Sequence, residues 1–315
     1  MKHKLGLHSL VCFATASMVA LSFYTGCASN EDPPDTGTGG GTGGGGTGGG
    51  GTGGGGETGG QDGGGTGGTG GSSANCPAGQ ASTVASVADG TVADNIQVEI
   101  TGAIATTKKL VVYFGKSKGT CLWGMFVKDP SADRGLMVVS YGENAAANAS
   151  QADCPKGTDA LPDVTPGDTV NIVGKVSPYA PSSCSPAPAK QMQVTACSAT
   201  VTGKVDAPAP VVVTKLDDLA AGAAQYQGLL VRVENVVAEN VDGGAVGPYG
   251  VIQLADTELQ VNDNFYYAAS GAPAFDPSQQ FKSITGISHL SYCDWVLQPR
   301  DKCTDFDPPS KNCSN

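Results

Sequence analysis

The sequence predicts an all-β protein: two tandem barrels of five short strands each, behind a disordered Gly/Thr-rich tether. Three observations predict it. The 47 glycines of the 315-residue chain are unevenly placed, with 25 of them and eight threonines in residues 36–71, whereas residues 72–315 hold 20, an ordinary globular share. Short segments with two-residue apolar alternation recur after residue 80, and few stretches carry helical periodicity. Those segments then come in the same order twice, which is the mark of an internal repeat. A β-sandwich of about ten strands is the alternative, because strand number alone does not separate barrels from packed sheets.

The chain opens with basic Lys2, His3 and Lys4, then a largely apolar stretch over residues 5–23, the pattern of an export leader. That stretch ends in Tyr24, Thr25, Gly26 and Cys27, which resembles the lipobox of bacterial lipoproteins. The resemblance implies cleavage after residue 26 and diacylglycerol on Cys27, hence anchoring at the bacterial cell envelope, at the outer membrane or cell surface. Residues 27–71 have almost nothing to bury and maximal backbone entropy to lose, so disorder is expected. A Gly-rich coil of that length spans on the order of 35 to 40 Å, enough to clear a headgroup layer. No apolar run after residue 26 is long enough to cross a bilayer as a helix.

Cysteine parity supports export. With Cys12 in the leader and Cys27 lipidated, Cys76, Cys121, Cys154, Cys184, Cys197, Cys293, Cys303 and Cys313 remain, an even set suited to disulfides. No CxxC or HxxxH spacing favours zinc, and no cofactor is expected. The net charge of -11 disfavours nucleic-acid binding by bulk charge.

Two domains are expected, at residues 76–205 and 211–307, joined at Ala207 to Pro210 and followed by a tail over 308–315. Residues 82–90 precede the first strand of one copy and 214–222 that of the other. The first strands are 96–101 and 230–234; the second, 123–129 and 249–256, each run from an aromatic residue and a glycine to an aspartate. Third strands lie at 135–140 and 258–262. The fourth, 169–176 and 281–287, both contain Ile-x-Gly, ending at Gly174 and Gly286, where a strand must bend or admit another backbone. Fifth elements are expected at 190–201 and 295–306. A helix candidate at 143–153, answered only by 265–269, completes the element order of an OB-fold barrel.

Residues 226–236, the strand ending at Asp256, residues 284–287, and Trp295 to Arg300 with Asp305 and Phe306 resemble the OB-like domains of bacterial extracellular proteins. Such domains accompany metal-dependent nucleases and phosphatases and also occur in surface lipoproteins. No catalytic domain follows within the 315 residues, so the resemblance carries no activity across. From the matching positions in the two copies, Cys184 is expected to bond Cys197 and Cys293 to bond Cys303. Elimination leaves Cys121 with Cys154 and Cys76 with Cys313.

Charge is unevenly divided. Residues 76–205 balance ten Lys and Arg against ten Asp and Glu, while residues 206–315 have six against fourteen. Copy one nevertheless clusters Lys108, Lys109, Lys116 and Lys118 around Tyr113, with Trp123 nearby, the mixture by which single-stranded nucleic acid is held. These six are the candidate ligand-binding residues; their alternative is a solvated hairpin with its aromatics in the core. Gly115 to Gly119 matches GxSxG, and His289 follows in the order of an α/β-hydrolase, but a strand pattern stands where the helix after Ser117 should be. Asp256, Glu258, Asp263, Asp305 and Asp307 could gather about Ca²⁺, though no EF-hand spacing is present. The leading expectation is a non-enzymatic, lipid-anchored surface protein presenting two disulfide-stapled binding modules to an extracellular or surface partner. Its alternative is an extracellular single-stranded nucleic-acid-binding accessory protein, with a serine hydrolase using Ser117 and His289 as a remote third.

Overall fold

The computed structural model describes residues 76–239, 245–247 and 250–313. The expected leader 1–26, Cys27 and the expected tether to residue 71 lie outside the described residues. The first half runs β1 (Gln80–Ser82), α1 (Val84–Ala88), β2 (Gln97–Ala105), β3 (Leu110–Gly115), β4 (Thr120–Lys128), β5 (Gly135–Tyr141), β6 (Asp168–Val176) and β7 (Gln193–Lys204). Strand β2 pairs antiparallel with β4 and β6, β6 pairs with β7, β7 runs parallel to β5, and β5 pairs with β4, closing a ring of five. That cyclic order is compatible with an OB-like barrel, and closure excludes the sandwich for this half.

Alternation fills the ring. Val98 and Ile100 point inward from β2, a bulge shifts the period, and Ala103 and Ala105 take over. Trp123, Met125 and Val127 of β4, Leu136 and Val138 of β5, Val170 and Ile172 of β6, and Val194 and Ala196 of β7 share the interior. Helix α1 is set by a capping box: the Ser86 amide donates to the Thr83 hydroxyl while the Thr83 amide donates to the Ser86 hydroxyl. Its Val84 and Val87 enter the same core.

The second half repeats the plan with β8 (Val211–Val213), α2 (Leu216–Ala220), β9 (Leu230–Val237), β10 (Ile252–Gln253), β11 (Gln260–Val261), α3 (Tyr267–Ser270), β12 (Gln280–Ser291), β13 (Asp294–Gln298) and β14 (Phe306–Asp307). The path β10, β11, β13, β12, β9 has the same strand order, and a bridge between Ala238 and Leu254 joins its ends. Strands β1 and β8 lie parallel to β2 and β9, respectively. The core here holds Val231, Val233, Leu254 and Leu297, with Phe275, Phe281 and Phe306 mutually in ring contact.

The two Ile-x-Gly glycines have one cause. A Cβ on Gly174 would stand 2.5 Å from the Thr195 carbonyl oxygen, and one on Gly286 would stand 2.7 Å from the Gln298 carbonyl carbon. In each half the fourth strand therefore needs glycine where the fifth strand's backbone crosses it.

Several expectations are corrected. Residues 143–153 contain only a 3-10 turn at Gln151–Asp153, because their apolar residues are all alanines, too small to form a core-facing stripe, and Asn148 takes a positive φ of 63°. Strand β12 runs on to Ser291, and the fifth element of copy two ends at Gln298 before the chain returns as β14. The disulfides join Cys76 to Cys197, Cys121 to Cys154, Cys184 to Cys293, and Cys303 to Cys313. Cys184–Cys197, Cys293–Cys303 and Cys76–Cys313 are thus overturned, whereas Cys121–Cys154 stands. The reason is a loop. Residues 177–192 leave the first barrel to reach the β12–β13 turn, carrying Cys184 to Cys293, and Cys197 on the exposed side of β7 meets Cys76.

Non-reducing peptide mapping is expected to recover a Cys184–Cys293 peptide joining the two halves, and no Cys184–Cys197 peptide. Replacing both Cys184 and Cys293 by alanine should lower unfolding free energy by about 2 to 4 kcal/mol in denaturant titration.

Candidate functional site at the barrel junction

Strands β4 and β5 bury both faces. Their inward residues fill the first barrel, while Leu122, Phe126, Met137 and Val139 point outward and are covered by Leu230, Ile287 and Phe265 of the second half. The Phe126 ring centroid lies 5.5 Å from those of Phe265 and His289, edge-on to the latter. Gly135 admits the chain here, since a Cβ on it would come within 2.3 Å of the Gly228 backbone.

Polar contacts fix the register of this seam. The Leu290 amide donates to Gln191 Oε1 at 2.6 Å, which identifies that atom as an acceptor. His289 Nδ1, 3.0 Å from the same oxygen, must then carry its proton. Gln191 Nε2 donates to the Met137 sulfur, and Trp295 Nε1 donates to the Ala189 carbonyl at 3.2 Å. Arg300 grips Asp305 through Nε and Nη2, and its Nη1 donates across the seam to the Thr106 carbonyl at 3.1 Å. The Trp295-to-Arg300 motif with Asp305, singled out from sequence, is therefore a clamp between halves.

In OB barrels the outer face of the second and third strands, with the loops between strands one and two and strands four and five, takes oligonucleotides and oligosaccharides. Here the second half occupies that face, and the 177–192 loop is spent on holding it. A cavity of about 290 Å³ opens at the junction, lined from the first half by residues that include Lys108, Lys109, Trp123 and Lys156 and from the second by Phe265 and Arg300.

The sequence-selected residues divide accordingly. Lys108, Lys109 and Trp123 line this cavity; Tyr113, Lys116 and Lys118 are not among its lining. Lys109 is unavailable as a free cation. Its ammonium lies 3.2 Å from both Asp159 and Asp163, donates to the Leu161 carbonyl, and stands 5.3 Å over the Trp123 ring. Trp123 is a core residue, so base stacking on it is corrected to packing inside the barrel. Lys116 and Lys118 sit exposed at the β3–β4 turn. Sequence reasoning missed Lys156 and Phe265, which reach the junction only through tertiary packing.

Ser117 is exposed at the same turn, whereas His289 is buried in the seam and bonded to Gln191, so the hydrolase pair is not assembled. No group of three or more His, Cys, Asp or Glu side chains is arranged to hold a metal among the described residues. Asp305 is committed to Arg300, which removes it from the Ca²⁺ set. No protein-family model, curated protein or solved structure matches the chain significantly.

Two titratable groups of the second half act in opposite directions. Burial among apolar rings pushes His289 down from 6.5 to about 3, so it is neutral when folded. An unfolded histidine takes up a proton below about 6.5, and stability is lost as pH falls from there toward 3. Asp263, buried with Oδ2 unpartnered among the described residues, is pushed up from 3.8 to about 6 by desolvation. Its folded form holds a proton that the unfolded chain releases, so its contribution is present below about 3.8 and lost as pH rises through 6. Urea midpoints are expected to show the two effects opposing between about pH 4 and 6. Asp263→Asn should leave stability falling on acidification, and His289→Leu should leave it rising.

Proposed function

We propose that the chain is a non-enzymatic surface lipoprotein that presents a cross-linked pair of OB-like barrels and binds its ligand where they meet. One observation carries the anchoring. All eight cysteines from Cys76 to Cys313 bond one another, so none of them is left for Cys27, which stands at the end of an export leader. An exported chain with one cysteine outside its disulfide set, placed directly after Thr25 and Gly26, is best served by lipidation of that thiol. Four disulfides suit an oxidising compartment outside the cytosol. Confinement to a surface raises the effective concentration of the barrels for anything bound there, which is the contribution a tethered module makes without chemistry of its own.

Presentation of nucleic acid is the weaker reading, because the outer face of β4 and β5 is covered and the second half is acidic. Metabolic labelling with a palmitate analogue tests the anchor. The label is expected on the native chain and should vanish in Cys27→Ala; a native chain that stays unlabelled would overturn it.

A further inference from the structure

We propose that the junction cavity is a site for a compact organic anion: one carboxylate, phosphate or sulfate head on a body of about one ring. This rests on reading the junction as the binding site, and it adds the ligand class. The cavity draws cations from both halves, Lys108, Lys109 and Lys156 from the first and Arg300 from the second, and none of its lining residues is acidic. Two of these charges are already spent, since Lys109 is neutralised by Asp159 and Asp163 and Arg300 by Asp305. Lys108 and Lys156 are exposed and make no ion pair or hydrogen bond through their ammonium groups among the described residues. They are the two cations free to meet a ligand's negative head.

Apolar surface sits beside them. Leu110, Val111 and the ring of Phe265 line the same space, offering a face for a ring while the ammonium groups take the anion. Size sets the upper limit. A cavity of about 290 Å³ has room for about one ring with its head group inside it. The supporting ion pairs also matter, because Lys109 held over Trp123 and Arg300 held to the Thr106 carbonyl fix both walls before any ligand arrives.

Isothermal titration of the full mature chain would use glucuronate, glucose 6-phosphate and benzoate as probes, with glucose and inorganic phosphate as the ring alone and the head alone. At least one ring-bearing anion is expected to saturate a single site more tightly than either control. The Lys108→Ala/Lys156→Ala variant, altered only at exposed side chains, should melt as the native chain does and bind roughly tenfold or more weakly. Absence of saturable binding by all three anions would overturn the proposal. So would equal affinity for glucose or for inorganic phosphate, undiminished binding by the double variant, or tighter binding of a thymidine oligonucleotide. Binding at this site does not depend on Cys27, so loss of the lipid label and loss of anion binding fail separately.

Discussion

The structure depends on the double burial of β4 and β5. Alternate residues of these two strands belong to different cores, one inside the first barrel and one between the halves. Hydrating Leu122, Phe126, Met137 and Val139 would forfeit roughly 1.5 to 3 kcal/mol for each large side chain, a sizeable part of the margin of any domain this small. The first barrel is therefore built to be covered. The second half has its own reason to stay, since its second and third strands are two residues each and its ring closes through one bridge.

Apolar burial alone would allow the two halves to slide, and the polar groups in the seam prevent it. Gln191, wholly buried, accepts from both His289 and the Leu290 amide, so a shift by one residue would strand a donor in a low-dielectric setting. Arg300 does the same at the other end of the contact, with its charge answered by Asp305 and its Nη1 donating to the Thr106 carbonyl. The Cys184–Cys293 bond then locks an arrangement that packing and hydrogen bonding have already selected.

The repeat and its barrels were legible because they are local. Two-residue alternation places each strand, and the Ile-x-Gly pattern marks the crossing at Gly174 and Gly286 without knowledge of any distant neighbour. The Cys184–Cys293 bond was not legible, because comparing copies assumes that equivalent cysteines serve equivalent local turns. That assumption fails once a loop of one copy is used to hold the other. The same blindness hid the junction. Lys108 and Trp123 were visible as a cation near an aromatic, but nothing in the sequence says that Trp123 faces inward or that Phe265, more than 150 residues from Lys108, supplies the opposite wall. Phe126 and Met137 looked like ordinary strand residues, and their outward aim follows only from register against Trp123 and Leu136.

The Cys76–Cys197 bond closes a covalent loop over 121 positions, and the Cys184–Cys293 loop begins before that one ends. The two loops overlap, so the backbone from Cys76 to Cys293 is a single cross-linked ring system. Tension arriving along the chain from before Cys76 crosses directly into β7, in the wall of the closed barrel, and bypasses the thin edge strand β1. The segments between those cysteines cannot be drawn out one by one. A body held by its N-terminal end would pass that load through the Cys76–Cys197 bond into β7, which shares it with β5 and β6 through their paired backbones.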